Sequence, residues 1–384
     1  MKRSAERFLT THTGSLPRPP DLIRMMFARE EGVPVDASAL AARVRGAVED
    51  VVRMQVESGL DVVNDGEMSK PSYATYIKDR LHGFGGESHA LVYQDLAEFP
   101  ELARRVFGDP GRSRRRTPAC TGPISVRDPR AAQADAEVVT AALARAKAGE
   151  GFLSAASPGV ISLFFRNDHY ASHEAYLAAI AEAMRDEYET VARAGLIVQI
   201  DCPDLAMEGP RLFQHEPLSR FLQIVETHVT AINEALVAVP PERVRLHVCW
   251  GNYDGPHTHD VPLEALLPIL TQARVGALSI EFANPRHQHE YRALRKHRLP
   301  DGMLLLPGVI DSVTNFVEHP EVVADRIVQA VEAVGDRSRV IASVDCGFGT
   351  FAGSETVAES VIWAKLRALR DGAALASQRL WAGA

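Results

Sequence analysis

Short apolar runs alternate along the chain with longer stretches in which apolar residues recur at helical spacing. The short runs occupy residues 8–14, 61–66, 152–157, 196–201, 244–249, 277–282, 303–309 and 340–345. The longer stretches, such as residues 37–59 and 172–195, are rich in alanine and end near a glycine, where helices commonly stop. Alternating strands and helices are typical of βα units around a parallel sheet. The pattern therefore predicts an α/β fold, a (β/α)8 TIM barrel formed by residues 1–384 as a single domain.

A ninth apolar run interrupts this alternation. Residues 117–126 contain proline and glycine and follow the basic loop "RSRRR" at residues 112–116. Because proline and glycine are disfavoured in central strands, this run is predicted to form a small β-arm outside the barrel. The arm would belong to an insertion at about residues 83–150, and we expect the basic loop to be solvated.

Nearly every unusual polar residue falls at the end of a predicted strand. In barrel enzymes the active site is built from the C-terminal ends of the strands and the loops that follow them. The residues at these positions are Gly14, Ser15, Asp65, Glu67, Asp201, His247, Cys249, Glu281, Asp311, Asp345 and Cys346. We therefore expect a single active site at this face of the barrel.

Composition and charge narrow the classes of function. The net charge is −8, from 42 basic and 50 acidic residues, and the basic residues are dispersed, which argues against a nucleic-acid partner. No apolar stretch is long enough to cross a membrane. The N-terminal segment "MKRSAERFLTTHTGS" lacks the apolar core of a secretory signal. We therefore expect a cytoplasmic protein with neither a nucleic-acid nor a membrane partner.

The segment "RLHVCWGN" at residues 245–252 contains a candidate metal site. Since side chains alternate along a strand, His247 and Cys249 project from the same face. Glu281 puts a carboxylate in an apolar strand, where a buried charge needs a cation or a proton, and Cys346 follows the last strand. Two thiolates, one imidazole and one carboxylate suit zinc, whereas magnesium and calcium prefer oxygen ligands. The open alternative is that the cysteines and His247 are ordinary core residues.

Seven segments occur in the order that a known family carries them. They are "TTHTGSLPRP", "DVVNDGE", "QIDCP", "LHVCWGN", "LSIEFA", "LPGVID" and "SVDCGFGT". From about residue 8 to about residue 365 the chain resembles the catalytic domain of the cobalamin-independent methionine synthases. The resemblance implies a barrel with one Zn²⁺ ion bound by His247, Cys249, Glu281 and Cys346.

Short relatives in this family widen the choice of reaction. They include stand-alone methyltransferases and the epoxyalkane:coenzyme M transferases, which use the same zinc to activate a different thiol. Two alternative functions do not involve activation of a thiol by zinc. One is a metal-free barrel related to uroporphyrinogen decarboxylase, and the other is a binding protein without catalysis.

The resemblance also implies how a substrate would bind. A thiol activated on zinc attacks a carbon of an alkyl donor, and Glu281 is expected to be the ligand that the thiol displaces. By the same resemblance the Gly14–Ser15 turn holds the substrate carboxylate, while Glu67 and Asp201 hold its ammonium group. These assignments predict methylation of homocysteine to methionine. The alternatives are alkylation of another thiol, as in epoxide:coenzyme M transfer, and demethylation of a specialised methyl donor.

The chain departs from the family where an acid is expected. The family's histidine after the "GV-x-D" segment corresponds to Val313 in "LPGVIDSVTNF". Asp311 of this segment and His12 therefore remain as candidate catalytic groups, with His319 as a further histidine. The alternative is that both histidines are ordinary loop residues.

The methyl-donor side is the less specific part of the resemblance. Phe164 lies where the family stacks its pterin, although a phenylalanine there also suits simple packing. Asn252 begins the rim segment 252–260, which predicts a polar lid or, alternatively, a second metal site. The expected partners are a small-molecule thiol and a methyl or alkyl donor. A homo-oligomer and a separate methyl-carrier protein are both left open.

Overall fold

The structure of the chain is a computed structural model that describes residues 1–88, 93–109, 117–213 and 215–381. The basic loop at residues 112–116, which was predicted to be solvated, lies outside the described residues. No helix in the described ranges is both long enough and apolar enough to cross a membrane.

A curled parallel sheet of six strands forms the centre of the fold. Numbered in chain order, the strands of the protein are β1 (Val62–Val63), β2 (Leu81–Gly85), β3 (Ala119–Val126), β4 (Glu150–Ala156), β5 (Ile197–Asp201), β6 (Val244–Val248), β7 (Ala277–Glu281) and β8 (Leu304–Gly308). The parallel sheet has the order β1-β4-β5-β6-β7-β8. In β5, β6, β7 and β8 every residue is buried, as expected for parallel strands covered on both faces. The predicted α/β fold is therefore confirmed.

Two of the eight predicted strands, at residues 8–14 and 340–345, are reduced to isolated bridges between the edges of this sheet. The backbone N–H of Thr11 donates to the carbonyl of Ala342 (2.9 Å), and that of Val62 donates to Thr10 (3.1 Å). On the other side, the N–H of Ile341 donates to Leu305 (3.0 Å). Threonine hydroxyls in residues 10–13 also bond to carbonyls of neighbouring segments, which replaces part of a regular ladder.

Helices return the chain from one parallel strand to the next. They are α1 (Pro20–Glu30), α2 (Ala37–Glu57), α3 (Ile77–Arg80), α4 (Gln94–Glu98), α5 (Pro100–Phe107), α6 (Ala131–Ala146), α7 (Pro158–Phe164), α8 (His173–Arg193), α9 (Asp204–Met207), α10 (Gly209–Leu212), α11 (Leu218–Ala235), α12 (Leu263–Leu270), α13 (Tyr291–Lys296), α14 (Pro320–Val334) and α15 (Glu359–Trp381). The predicted helical stretches at residues 37–59 and 172–195 correspond to α2 and α8. Side chains of Asp36 and Ser172 cap their first turns, which explains where they begin.

A two-stranded antiparallel hairpin stands apart from the parallel sheet, as predicted for residues 117–126. Its strands are β2 and β3, with Leu81 opposite Val126 and Gly85 opposite Ala119. Gly83 lies at the irregular point of the register with φ of +100°, and a Cβ there would come within 2.8 Å of the carbonyl oxygen of Gly122. The partner strand β2 was not among the predicted strands, because its sequence "LHGFG" is short and glycine-rich.

A buried arginine fills the interior of the sheet beneath its C-terminal end. Arg245 of β6 is 1% exposed and lies over the ring of Phe152, 3.5 Å from its centroid. Its guanidinium donates to Gln199 Oε1 (2.7 Å), Thr11 Oγ1 (3.1 Å) and the carbonyl of His12 (2.8 Å). One side chain thus ties β5 and β6 to the bridged segment at residues 8–13.

Candidate metal and substrate site

Two thiols and one imidazole meet at the C-terminal end of the parallel sheet. His247 belongs to β6, Cys249 follows it by two residues, and Cys346 comes from the loop after residues 340–345; all three are buried. One ligand atom from each residue lies within 4.8 Å of the other two, and Cys346 Sγ is 3.6 Å from His247 Nε2. His247 Nδ1 is buried with no hydrogen-bond partner. Because this donor set is the usual three-ligand core of a zinc site, these residues fit a metal ion.

The charges within this thiol cluster also suit a cation. A hydrogen bond with Cys346 holds the pKa of Cys249 well below its usual value against the effect of burial, and His247 adds to this shift. The same hydrogen bond raises the pKa of Cys346 well above its usual value. Burial alone would lower the pKa of His247, but its contact with Cys249 outweighs burial and raises it. The thiolate is the form of cysteine that binds metals, so the cluster already favours one such ligand.

Glu281, predicted as the fourth ligand, lies beside the thiol cluster rather than within the group of three. Its Oε1 accepts from the backbone N–H of Trp250 (3.2 Å), and its Oε2 accepts from the Asn284 side chain (2.8 Å). Burial raises the pKa of Glu281 well above its usual value, and Cys249 contributes to this shift. The carboxylate therefore neighbours the thiols while its oxygens are occupied by other donors.

Asp345 holds the ends of two strands together. Its carboxylate accepts from the backbone N–H groups of Phe282 (3.0 Å) and Ala283 (2.9 Å), and from both the backbone (2.9 Å) and side-chain (3.1 Å) nitrogens of Asn284. Burial and the nearby Asp311 raise the pKa of Asp345 to about 7. Since its acceptors are filled by peptide and amide donors, Asp345 positions the turn after β7.

Asp311, a predicted catalytic residue, borders a separate cavity. This side cavity is also lined by Glu281 and Asp345 and adjoins the thiol cluster at Gly251. Asp311 Oδ1 accepts from the backbone N–H of Val313 (2.7 Å).

Most of the predicted substrate residues line the same pocket as the thiol cluster. We call it the thiol pocket. The predicted residues along its wall are Ser15, Glu67, Asp201, His247, Cys249, Asn252 and Cys346. The structure thus brings together residues from five separate parts of the chain, as the strand-end pattern predicted.

An acidic group forms one side of the thiol pocket. Burial and the nearby Asp201 raise the pKa of Glu67 to about 7, and burial raises the pKa of Asp201 to about 6. Glu67 Oε2 accepts no hydrogen bond and lies 3.8 Å from Arg18 Nη2. Arg18 and Lys70 oppose the negative charge of Glu67 and of the neighbouring Asp65. Asp201 also interacts with the buried Arg245, so the three carboxylates face three cationic side chains, while Glu67 Oε2 remains without a hydrogen-bond donor.

Gly14 allows the first bridged segment to turn beside this acidic group. Its φ is +143°, and a Cβ there would lie 2.6 Å from Ser154 Oγ and 2.9 Å from Glu67 Oε1. The following residue, Ser15, faces the pocket, and its carbonyl accepts from the N–H of Phe348 (2.9 Å). A side chain at position 14 would therefore displace the acidic group as well as strain the backbone.

Aromatic side chains that sequence reasoning missed form the opposite wall. Tyr73, Tyr93 and Phe351 line the thiol pocket. Phe164, predicted as a stacking platform, is 4% exposed and packs edge-on against Tyr73 with ring centroids 5.9 Å apart. Phe164 therefore supports the wall from behind. Tyr73 and Phe351 follow Glu67 and Cys346 by six and five residues in sequence, and this proximity to strand ends was the available signal.

His12, predicted as a substitute acid, does not reach the thiol pocket through a free nitrogen. Its ring is 1% exposed; Nε2 bonds to Gln55 Oε1 (2.7 Å), and Nδ1 accepts from the N–H of Gly14 (3.3 Å). Burial lowers the pKa of His12 to about 3, so the imidazole is neutral at physiological pH. Both ring nitrogens are engaged in fixing the turn at residues 12–15.

Asn252, by contrast, links the pocket wall to the loop that carries Cys346. Its side-chain amide donates to the carbonyl of Gly347 (2.6 Å) and to Thr350 Oγ1 (2.5 Å), and its oxygen accepts from Ser312 Oγ (3.1 Å). Asn252 thereby joins the loops after three different strand positions.

The chain is similar to several known proteins. Residues 8–366 match the family model described as "Cobalamin-independent synthase, Catalytic domain". The chain is 25% identical over 342 residues to 2-hydroxypropyl-CoM lyase of Xanthobacter autotrophicus, covering 82% of this chain and 81% of that protein. It is also 25% identical over 339 residues to methionine synthase of Sulfolobus acidocaldarius, covering 88% and 85%. Among solved structures, the B12-independent methionine synthase of Shewanella sp. W3-18-1 matches with a TM-score of 0.75 at 21% identity, covering 98% of this chain and 99% of that one.

Proposed function

The chain belongs to the cobalamin-independent synthase catalytic-domain family, and we propose that within it the protein is a zinc-dependent transferase that methylates the thiol of homocysteine to give methionine. We further propose that the bridged segments at residues 8–13 and 340–345 are the reduced first and eighth strands of a (β/α)8 barrel, with the hairpin as an insertion into one domain.

One observation carries the functional proposal: the thiol cluster and the acidic group line the same pocket. A substrate with a thiol at one end and an ammonium group at the other would satisfy both. Glu67 and Asp201 are buried carboxylates on the wall of this pocket, and Glu67 Oε2 has no hydrogen-bond donor. An ammonium group is the complement that this arrangement lacks.

His247, Cys249 and Cys346 would hold the zinc ion, with Glu281 as the exchangeable fourth ligand. Zinc bound there supplies Lewis acidity that lowers the pKa of a coordinated thiol, so that the nucleophile is a thiolate at neutral pH. Glu281 suits exchange because Asn284 and the Trp250 N–H already offer hydrogen bonds to its carboxylate when it is away from the cluster.

The other residues would bind and orient the substrate. Glu67 and Asp201 hold the ammonium group, and the Gly14–Ser15 turn holds the carboxylate, which aims the sulfur at the cluster. In the reaction the sulfur forms a bond to the methyl carbon, the bond from that carbon to its carrier breaks, and the carrier takes up a proton. We keep Asp311 as the candidate proton donor because it borders the side cavity.

The second candidate is alkylation of a different thiol. The similarity to 2-hydroxypropyl-CoM lyase and Val313 at the expected histidine position favour it. Coenzyme M carries a sulfonate instead of an ammonium group, so Glu67 and Asp201 would repel it.

X-ray absorption at the zinc edge of the full-length protein tests the proposal. We expect zinc with sulfur and nitrogen neighbours, and one additional sulfur neighbour when homocysteine is added. The amino-free thiol 3-mercaptopropionate and coenzyme M should add sulfur only at much higher concentration. Equal responses to all three thiols would overturn the assignment of the ammonium site.

Two variants test whether zinc binding and turnover depend on the thiol cluster and not on a cysteine elsewhere in the chain. Cys249→Ser should remove most zinc–sulfur scattering and abolish turnover. Cys120→Ser, which changes a buried cysteine of the hairpin, should leave both unchanged. Turnover assays with methyl-folate, methylcobalamin and simple methylated thiols in parallel identify the donor. A fully active Cys249→Ser protein would rule out the mechanism.

A further inference from the structure

A second group of metal-ligating side chains lies next to the side cavity. His257 and Asp260 belong to the loop after β6, and His287 belongs to the turn after β7. Asp260 Oδ2 is 2.9 Å from His257 Nδ1 and 2.9 Å from His287 Nε2. His257 and His287 line the side cavity together with Glu281 and Asp311. These three residues, the histidine cluster, share no member with the thiol cluster.

Each imidazole of the histidine cluster lies between two acceptors. His257 contacts Asp260 through Nδ1 and the carbonyl oxygen of Tyr253 through Nε2 (3.3 Å). His287 contacts Asp260 through Nε2, while Glu290 Oε1 lies 3.8 Å from its Nδ1. A neutral imidazole has only one N–H to donate. If each ring donates its one N–H to Asp260, its other nitrogen has no proton for the acceptor on its far side. Extra protons would supply that contact. One divalent cation at the point where the three ligand atoms meet would instead leave the single N–H of each ring free for the far acceptor.

The groups on the far side of each imidazole favour a bound cation over extra protons. In protein metal sites, a ligating histidine usually donates its other ring N–H to a carbonyl or carboxylate, which fixes the ring orientation. The Tyr253 carbonyl has this position for His257, while Nδ1 of His287 is buried without a hydrogen-bond partner and faces Glu290 Oε1 at 3.8 Å. Burial lowers the pKa of His287, but the hydrogen bond with Asp260 and the nearby carboxylate of Glu290 outweigh burial and raise it to about 10. That shift reflects a negative potential that would equally attract a metal ion.

The backbone and packing hold these rings in fixed positions. His287 stacks on Trp250 with ring centroids 4.0 Å apart and an interplanar angle of 21°. His257 has a φ of +51°, a strained value for a residue with a side chain, and its N–H donates to Asp95 Oδ2 (2.9 Å). A strained backbone of this kind persists only where the contacts around the residue fix its conformation.

We propose that His257, Asp260 and His287 form a second metal site, separate from the thiol cluster, that binds a divalent cation of borderline softness such as zinc. Two imidazole nitrogens and one carboxylate oxygen are donors that favour zinc or cobalt over magnesium and calcium. Its remaining coordination positions are open toward the side cavity, because both histidines line it. The site binds a cation whether or not the thiol cluster performs methyl transfer.

Cobalt binding by the full chain distinguishes the two sites. Apo protein is titrated with Co²⁺ and then desalted, and the bound metal is quantified together with its absorption spectrum. Cobalt at the thiol cluster gives near-ultraviolet thiolate charge-transfer bands, whereas cobalt at the histidine cluster gives only weak visible bands. We expect two equivalents in the unaltered protein. The Cys249→Ser/Cys346→Ser protein should keep one equivalent without charge-transfer bands.

An isosteric change tests the histidine cluster in the otherwise native chain. Asp260→Asn should reduce the bound cobalt from two equivalents to one and preserve the charge-transfer bands. The matched control is His259→Asn, which alters a histidine of the same loop that pairs with Glu98 outside the cluster. It should retain both equivalents.

Four results would decide between the possibilities. One equivalent that shows charge-transfer bands in the unaltered protein, or two equivalents in the Asp260→Asn protein, would show that protons alone satisfy these imidazoles. A cysteine double variant that binds no cobalt while its thermal melting transition is preserved would do the same. Absence of charge-transfer bands with one equivalent still bound would instead refute the thiol cluster and leave the second site standing.

Discussion

Glu67 has two features that lower the stability of the folded chain, a left-handed backbone with φ of +59° and a buried carboxylate. Its sequence context "DGEMSK" indicated an acid at a strand end, and the resemblance added its role. Sequence alone did not reveal that Arg18 and Lys70 would accompany it, because these partners are brought together only by the turns at residues 14–18 and 66–70. Phe164 was misassigned as the platform for a related reason: a burial pattern does not tell which of two contacting aromatic rings faces a pocket.

Removing the charge of Glu67 tests its role in binding. Glu67→Gln should raise the KM for homocysteine by about 10-fold to 100-fold, because one charge-assisted hydrogen bond to the ammonium group is lost. The KM for 3-mercaptopropionate, which has no ammonium group, should change little. Steady-state kinetics with both thiols provide the measurement, and an equal change for both would show that Glu67 has only a structural role.

The raised pKa values of the acidic group predict a pH dependence. Glu67 has a pKa of about 7 and Asp201 of about 6, mainly because both are buried. As the pH falls through 7 and then 6, these carboxylates become protonated and lose their attraction for an ammonium group. The ratio of KM for homocysteine to KM for 3-mercaptopropionate should therefore rise on acidification. A ratio independent of pH between about 5.5 and 8 would contradict this assignment.

At the scale of elements, β6 and the bridged segment at residues 8–13 differ in how well the sequence predicted their structure. The strand β6 was predicted almost to the residue, since "VRLHV" is β-branched and bounded by a short 3₁₀ turn (Pro241–Arg243) and by glycine. The segment "FLTTHTG" was predicted as a strand on the same kind of sequence pattern, but it forms only isolated bridges. Its threonine hydroxyls bond to neighbouring carbonyls, and Arg245 bonds to its backbone. Such long-range side-chain contacts leave no periodic trace in the sequence.

Arg245→Met tests this attachment. The substitution keeps a long side chain but removes three buried hydrogen bonds, including those to Thr11 and the His12 carbonyl. We expect the free energy of unfolding to fall by about 3 kcal/mol, because these acceptors stay buried without donors. Urea denaturation measures the change.

The matched control for this experiment is Arg243→Met, a change at a half-buried arginine two residues earlier whose side chain forms a solvent-exposed bond to the Gly195 carbonyl. Its effect should stay near about 0.5 kcal/mol. A similar loss in both variants would mean that Arg245 does not tie the segment to the sheet.

At the scale of the whole molecule, the thiol cluster joins parts of the chain that are far apart in sequence. His247 and Cys346 are separated by 99 residues yet lie 3.6 Å apart. The alternation of strands and helices predicted that strand ends would converge, and that part of the site was accessible from the sequence. The histidine cluster was foreseen only as one alternative for a polar loop, because His287 comes from a different loop whose position depends on the turn held by Asp345.

A metal that bridges such distant segments should stabilise the folded chain. Binding to the folded state alone contributes about 4 kcal/mol when the free metal exceeds its Kd a thousandfold. Zinc-loaded protein should therefore melt several degrees higher than protein treated with a chelator, as measured by calorimetry. The difference should shrink strongly in the Cys249→Ser protein and persist in the Cys120→Ser protein. Identical melting with and without chelator would contradict metal binding at the thiol cluster.

The fixed register of β6 has a consequence for how such a protein can diversify. Hydrogen bonding pairs His247 with Asp201 of β5 and with Ser279 of β7. Inserting or deleting one codon within this strand would turn the imidazole and the thiol toward the helical layer together. The loops after the strands carry no such restriction. Descendants of this gene can therefore acquire new alkyl donors by exchanging loops, while the length of β6 stays fixed in every lineage that retains the chemistry.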